Sequence, residues 1–153
     1  MANYNDRCQA LAVAIAANVP VILWGAPGVG KTSVIEQIAD HHDWHLETVI
    51  ASISDPTDFK GMPREDAGRT VFSPPSWALT IKHNGGGVVF LDEISTAPPS
   101  VQAALLRPVL SKVVGDLELP SQTRFVAAAN PPEIAADGWD LSAPLANRFV
   151  HLS

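Results

Sequence analysis

What the chain has little of narrows its class. A single cysteine, Cys8, occurs among 153 residues, so no internal disulfide can form, and no Cys/His set with zinc spacing is present. A reducing, cytoplasmic setting fits. Charge is scarce as well: 17% of residues are charged, against about 25% in ordinary soluble domains, so an unusually apolar surface of the kind an interface needs is expected. Only 10 lysines and arginines stand against 16 acidic residues, a formal net charge of −6. That balance offers no broad basic surface for duplex nucleic acid, which is therefore not expected as a partner. Long hydrophobic runs are also missing. The longest near the N-terminus, Ala10 to Ala17, is too short to span a bilayer, and the acidic and amide residues before it do not make a signal-peptide n-region. No repeat or low-complexity tract occurs, and the 13 prolines are dispersed through loops rather than gathered in a linker. The length fits one compact domain, 1–153.

What is present alternates between two periodicities. Residues 4–18 carry apolar side chains at helical spacing after an Asn5/Asp6 start signal, and Asn18-Val19-Pro20 ends the run. Val21 to Trp24 is a short apolar run that breaks into a glycine-rich turn, after which Lys31 to His41 sets Val34, Ile35 and Ile38 on one helical face. Leu46 to Ile53 reads as a second strand, Ser76 to His83 as a helix, and Gly87 to Leu91 as the continuous apolar strand of a buried parallel sheet. Pro99 to Leu110 follows as a helix, Val113 to Leu119 as a hairpin, Thr123 to Ala129 as another buried strand and Phe149 to Leu152 as the last. Five central strands with helices between them predict an α/β fold, a three-layer αβα arrangement around a five-stranded parallel sheet.

Two motifs carry chemistry. Gly25-Ala26-Pro27-Gly28-Val29-Gly30-Lys31-Thr32 matches G-x-x-x-x-G-K-[ST], followed by Ser33, and it lies between a buried strand and a helix, where a phosphate-binding loop must lie. Backbone N–H groups of a loop without bulky side chains wrap phosphates, and the helix starting at Lys31 points its positive dipole end at them. Lys31 reaches the β- and γ-phosphates, and the Thr32 hydroxyl serves Mg²⁺. The bland alternative, a chance glycine-rich turn, does not explain the strand and helix on either side. In the second motif, Val88-Val89-Phe90-Leu91-Asp92-Glu93, four apolar residues lead into two carboxylates, which places both acids at the carboxyl edge of a buried strand, where open α/β sheets bind ligands. There Asp92 holds the Mg²⁺ shell and Glu93 polarises the attacking water. Taken alone, the pair could equally cap the next turn.

With these motifs in place the chain resembles the AAA+ ATPases, and among them the MoxR-like, dynein-related branch. The likeness is carried by GAPGVGKTS at 25–33, DPTDFKGMP at 55–63, FSPPSWA at 72–78, FLDEISTAPPSVQAALLRPV at 90–109, FVAAANP at 125–131 and LSAPLANRF at 141–149. The resemblance implies a P-loop NTPase core with strand order 5-1-4-3-2, ATP and Mg²⁺ as cofactors, and ATP hydrolysis that remodels a protein partner. It makes Asn130 the sensor-1 residue that places the water, and Arg148 the arginine finger that completes a neighbouring subunit's site in trans, within a homo-oligomer, by analogy a hexameric ring. Many relatives work beside a von Willebrand A-domain partner. Val113 to Leu119 resembles the hairpin inserted before sensor 1, and Asp58 to Gly61 a loop of MoxR-like members. The family continues into a small helical lid with a sensor-2 arginine. This sequence ends at Ser153, so an excised core, or one completed by a separate chain, is expected. Adenine contacts are assigned no further than residues near Val19 and Pro20.

Other residues attract blander readings. His41, His42 and His45 have no acidic or thiol partner at ligand spacing and are expected to be solvated. Cys8 is expected to be a small buried apolar residue. Trp24, Trp44, Trp77 and Trp139 do not alternate with basic residues, so they are core or interface anchors rather than a base-stacking platform. Alternatives to the remodelling ATPase are a nucleotide-dependent switch or scaffold with little turnover, a small-molecule kinase, which the Asp92-Glu93 pair opposes, and a DNA-associated motor, which the charge opposes.

Overall fold

The computed structural model describes residues 4–134 and 139–153. Along the chain α1 (Tyr4–Ala16) leads to β1 (Val21–Trp24), α2 (Lys31–His41) and β2 (Leu46–Ile50). A short helix, α3 (Thr57–Lys60), precedes the strands β3 (Met62–Asp66) and β4 (Arg69–Ser73), then α4 (Ser76–His83), β5 (Gly87–Asp92) and α5 (Pro99–Ser111). The chain closes with β6 (Val113–Val114), β7 (Leu117–Glu118), β8 (Thr123–Ala129), α6 (Ala143–Ala146) and β9 (Val150–Leu152).

The central sheet has 5 parallel strands in the order β2-β5-β8-β1-β9. Counting only these strands, the order read from the β9 edge is the expected 5-1-4-3-2. The apolar runs are continuous because helices cover both faces. Val89, Leu91, Phe125 and Ala127 enter one buried cluster with α4 and α5, while Val88, Phe90, Val126 and Ala128 enter the other with α1 and α2. Alternate residues thus face opposite layers and all must be apolar.

The sheet's register explains where the expected boundaries move. The second strand stops at Ile50 rather than Ile53, because Ile50 opposite Asp92 is the last pair β5 can offer; Ala51–Ile53 then turn as a 3₁₀ segment with Ala51 buried. The first helix stops at Ala16, since Asn18 takes the left-handed conformation (φ 58°) and the Asn18 and Val19 N–H groups close back on Ile15 and Ala14 carbonyls.

The β3–β4 hairpin was not expected, for β3 is exposed throughout and its sequence, MPRED, has no apolar face. Ala67 (φ 50°) and Gly68 (φ 76°) make its turn. It is held by docking rather than by its own core: the Phe72 N–H donates to Asp116 Oδ2 at 2.8 Å, and the Phe72 carbonyl accepts the Asp116 N–H at 3.0 Å. This joins it to the β6–β7 hairpin, which forms within the expected 113–119. The approach requires glycine at 115, where a Cβ would sit 2.6 Å from the Phe72 carbonyl oxygen. Asp58 to Gly61 anchors the same region: Phe59 is fully buried, the Trp77 indole donates to the Asp58 carbonyl at 2.8 Å, and Gly61 turns the chain at φ +83°.

Candidate nucleotide site

Strands β1, β5 and β8 run parallel, so the residues that follow them meet at one edge. The phosphate loop leaves β1 there, pinned by a 3.1 Å hydrogen bond from the Gly25 N–H to the Ala129 carbonyl. Gly28 and Gly30 hold φ of 78° and 87°, which L side chains rarely adopt, and α2 starts at Lys31. The Lys31 ammonium donates to the Gly25 carbonyl at 2.5 Å, the Ala26 carbonyl at 3.0 Å and Asn130 Oδ1 at 3.2 Å. Burial pulls its pKa below the usual lysine value, and the nearby Asp92 carboxylate partly opposes this.

The acids and the amide complete the same cleft. Lys31, Thr32, Ser33, Asp92, Glu93 and Asn130 all line it, with a volume of ≈ 380 Å³. Asp92 ends β5 and its Oδ1 accepts the Glu93 N–H at 2.9 Å. Glu93 takes the left-handed conformation (φ 55°, ψ 39°), and its Oε2 accepts the Ser52 hydroxyl from the turn after β2. Asn130 directly follows β8; its N–H donates to Ser95 Oγ at 3.2 Å, and Ser95 is buried. Pro27, Gly28 and Gly30 to Ser33 of the phosphate loop, the acid pair and the amide therefore share one cleft, while Gly25, Ala26 and Val29 face the pocket beside it; two serines not singled out from the sequence, Ser52 and Ser95, hold Glu93 and Asn130.

Comparison with known proteins decides the family. The model for the AAA domain, dynein-related subfamily, matches residues 20–149. The chain belongs to that family. No curated protein sequence matches it. Among solved structures it is similar in fold to a "putative ATPase" from Cytophaga hutchinsonii, with 22% identity, a TM-score of 0.65, and coverage of 94% of this chain and 44% of that one. The AAA domain described here thus spans less than half the length of that protein.

Arg148, expected to act on a neighbouring subunit, stands apart from the cleft of its own chain. Arg148 is exposed and lines a separate pocket with Asn18, Pro20, Lys112, Phe125 and Asn147. That pocket lies at the amino edge of the sheet, where the Val150 N–H bonds the Pro20 carbonyl, and β1 alone interposes about 13 Å of strand before the phosphate loop. Pro20 lines this pocket too, and neither Val19 nor Pro20 lines the cleft or the apolar pocket beside the phosphate loop. The apolar pocket that does adjoin the loop, ≈ 370 Å³, is walled by Cys8, Leu11, Leu23, Val29, Val34 and Leu152. Cys8 is accordingly half-buried at a pocket wall rather than a core residue. Gly25, Gly30 and Lys31 line this pocket, and Gly30 and Lys31 line the cleft as well, so the loop separates a polar compartment from an apolar one.

His45 does have an acidic partner, Nε2 lying 2.7 Å from Glu47 Oε1, and His42 stacks on Trp44 with centroids 4.2 Å apart. Trp44 also carries a cation, the Arg124 guanidinium at 4.0 Å, brought from a distant strand. Trp77 is buried and Trp139 is 55% exposed. No described helix is long and apolar enough to cross a membrane.

Proposed function

We propose that this AAA domain binds Mg-ATP and hydrolyses it. The observation that carries the reading is the contact of Lys31 Nζ with Asn130 Oδ1 in a cleft shared with Thr32, Asp92 and Glu93. Phosphates accepted from the loop N–H groups would lie against Lys31, and the apolar pocket beyond the loop is suited to a base, where one face is buried and hydrocarbon walls dominate. Thr32 and Asp92 offer the hard oxygen donors that suit Mg²⁺, an ion that needs few protein ligands when phosphates and water supply the rest; when bound it offsets negative charge on the phosphates. Glu93 accepts the proton of the attacking water as the new P–O bond forms, Asn130 orients that water, and the bond to the ADP oxygen breaks.

Arg148 cannot reach the cleft of its own chain from the opposite edge. It serves a second copy, and the working form is an oligomer, by analogy a hexameric ring, that remodels a protein; a von Willebrand A-domain partner is the class the MoxR-like likeness suggests. A nucleotide-dependent switch with little turnover is the second reading, favoured by the engagement of Glu93 with Ser52. The test is steady-state phosphate release over a wide range of protein concentrations for wild type, Glu93→Gln and Arg148→Ala. Specific activity that climbs with concentration and is lost in both variants supports the ATPase. Activity flat near zero with Lys31-dependent ATP binding intact selects the switch.

A further inference from the structure

One imidazole joins the strand that feeds the phosphate loop to the turn that carries Arg148. Trp24 ends β1 and immediately precedes Gly25. Its indole Nε1–H donates to His151 Nδ1 at 2.9 Å, and the two rings lie nearly parallel, with centroids 5.9 Å apart and planes 19° apart. His151 lies on β9 opposite Ile22, and its Nε2 reaches the Ala146 carbonyl at 2.8 Å. An indole nitrogen only donates and a carbonyl only accepts, so the two partners assign the neutral tautomer with the proton on Nε2. The Ala146 carbonyl also accepts the Phe149 N–H at 3.2 Å, and the Arg148 N–H donates to Leu145 at 3.0 Å. The imidazole therefore grips the very turn in which Arg148 sits.

The other end of the link is where phosphates act. Lys31 Nζ holds the Gly25 and Ala26 carbonyls, and bound phosphates compete for the same ammonium. Release of the Gly25 carbonyl is a change at the residue next to Trp24. We propose that His151 is a positioning residue that couples occupancy of the phosphate loop to the placement of Arg148, so that the nucleotide held by one subunit tunes the arginine it presents to the next. The consequence for a neighbour rests on the reading of Arg148 given above; the coupling within the chain does not. A packed pair alone would hold the structure together without transmitting anything, so the test must read transmission.

Backbone amide NMR of the 16.3 kDa chain titrated with Mg²⁺ and a non-hydrolysable ATP analogue reads both ends at once. In wild type, amide resonances shift at Gly25 and at Ala146 to Arg148. His151→Phe keeps a ring for packing and removes both hydrogen bonds, while Trp24→Phe removes only the indole donor and leaves His151 on Ala146. In both variants the Gly25 shift persists and the Arg148 shift is lost. In the assembled enzyme His151→Phe lowers turnover roughly two- to thirtyfold with little change in KM, and adding Arg148→Ala lowers it no further than Arg148→Ala alone. An Arg148 shift that survives in a folded Trp24→Phe or His151→Phe variant overturns the coupling, as does a loss that multiplies with Arg148→Ala. No shift at Gly25 in wild type overturns nucleotide binding and the coupling together, whereas coupled shifts without phosphate release refute only the ATPase reading.

Discussion

Arg124 offers the sharpest test of how the sheet is held in place. It is the second residue of β8, whose other end delivers Asn130, and is only 8% exposed. Its Nε donates to the Ile15 carbonyl at 2.9 Å, Nη1 to the Gln122 carbonyl at 2.9 Å and Nη2 to Gln122 Oε1 at 3.2 Å, with the guanidinium 4.0 Å from the Trp44 ring. One side chain thus ties the end of α1 and the start of β2 to the central strand. Three hydrogen bonds at about 1 kcal/mol each and a cation–π contact of about 1 kcal/mol give a gross loss near 4 kcal/mol for Arg124→Ala. Relief of charge burial, which already pulls this group's pKa below its usual value, returns about 1 kcal/mol, leaving about 3. For a chain of this size that is a fall of roughly 6–12 °C in Tm. Thermal and urea unfolding of wild type, Arg124→Ala and Arg124→Met measure it, the methionine replacing the hydrocarbon stem alone. If Arg124→Met is as stable as wild type, the hydrogen bonds and the cation–π contact contribute nothing net and the clamp is refuted.

Two predictions concern the site. Ser52→Ala frees Glu93 Oε2 from a hydroxyl that occupies the oxygen an attacking water would need; turnover of the assembled enzyme rises about fivefold, the equivalent of one hydrogen bond of about 1 kcal/mol. The effect vanishes in a Glu93→Gln background, and a fall in turnover instead would mean that Ser52 orients the carboxylate. Lys31 predicts a pH limb. Its pKa is lowered from 10.5, and phosphates favour the ammonium, so ATP affinity begins to fall with rising pH below 10.5, earlier than an ordinary lysine would allow. The sign in stability is the reverse: between the lowered pKa and 10.5 the unfolded chain binds more protons, so the free protein gains stability as pH rises through that window. An affinity flat up to 10.5 would sink the assignment of Lys31.

The parts of the site legible in the sequence are those whose chemistry is fixed by backbone and by one strand. Gly25 to Ser33 could be read because a glycine-rich turn between an apolar run and a helix has little other use, and Asp92-Glu93 because a run buried on both faces must release its first polar residues at an edge. Asn130 took its role from the family resemblance, since the residues alone show only an amide at the end of an apolar strand; that strand proves to lie between β5 and β1. Ser52 and Ser95 were not, since a serine is unremarkable until the fold sets it against Glu93 or Asn130. Trp24 and His151 belong to opposite ends of the chain, and Arg124 reaches Trp44 only after β8 is threaded between β1 and β5. The β3–β4 hairpin escaped because its stability comes from Asp116 and Gly115 on another hairpin, not from its own pattern.

If the cleft hydrolyses Mg-ATP as proposed, its own charges leave one chain short of a counter-charge. Among the described residues that line it, Lys31 is the one cation, set against Asp92 and Glu93. Lys31 is itself held by the Gly25 and Ala26 carbonyls and by Asn130. A polyphosphate adds several negative charges, and two charges from Mg²⁺ offset only part of them, so charge building on the transferred phosphoryl group lacks a nearby counter-charge. Arg148 and Lys112 share a pocket at the opposite edge, with no path around the sheet to their own cleft. If a second copy supplies that charge, the missing arginine costs on the order of a thousandfold or more in rate, far beyond what Ser52 or Ser95 could contribute. Dilution below assembly should then mimic Arg148→Ala in size. A Glu93→Gln subunit mixed with an Arg148→Ala subunit should recover activity, because such pairs rebuild one intact site. Failure of that mixture to exceed either variant alone, with assembly verified, would place the counter-charge within the chain and remove the reason for a ring.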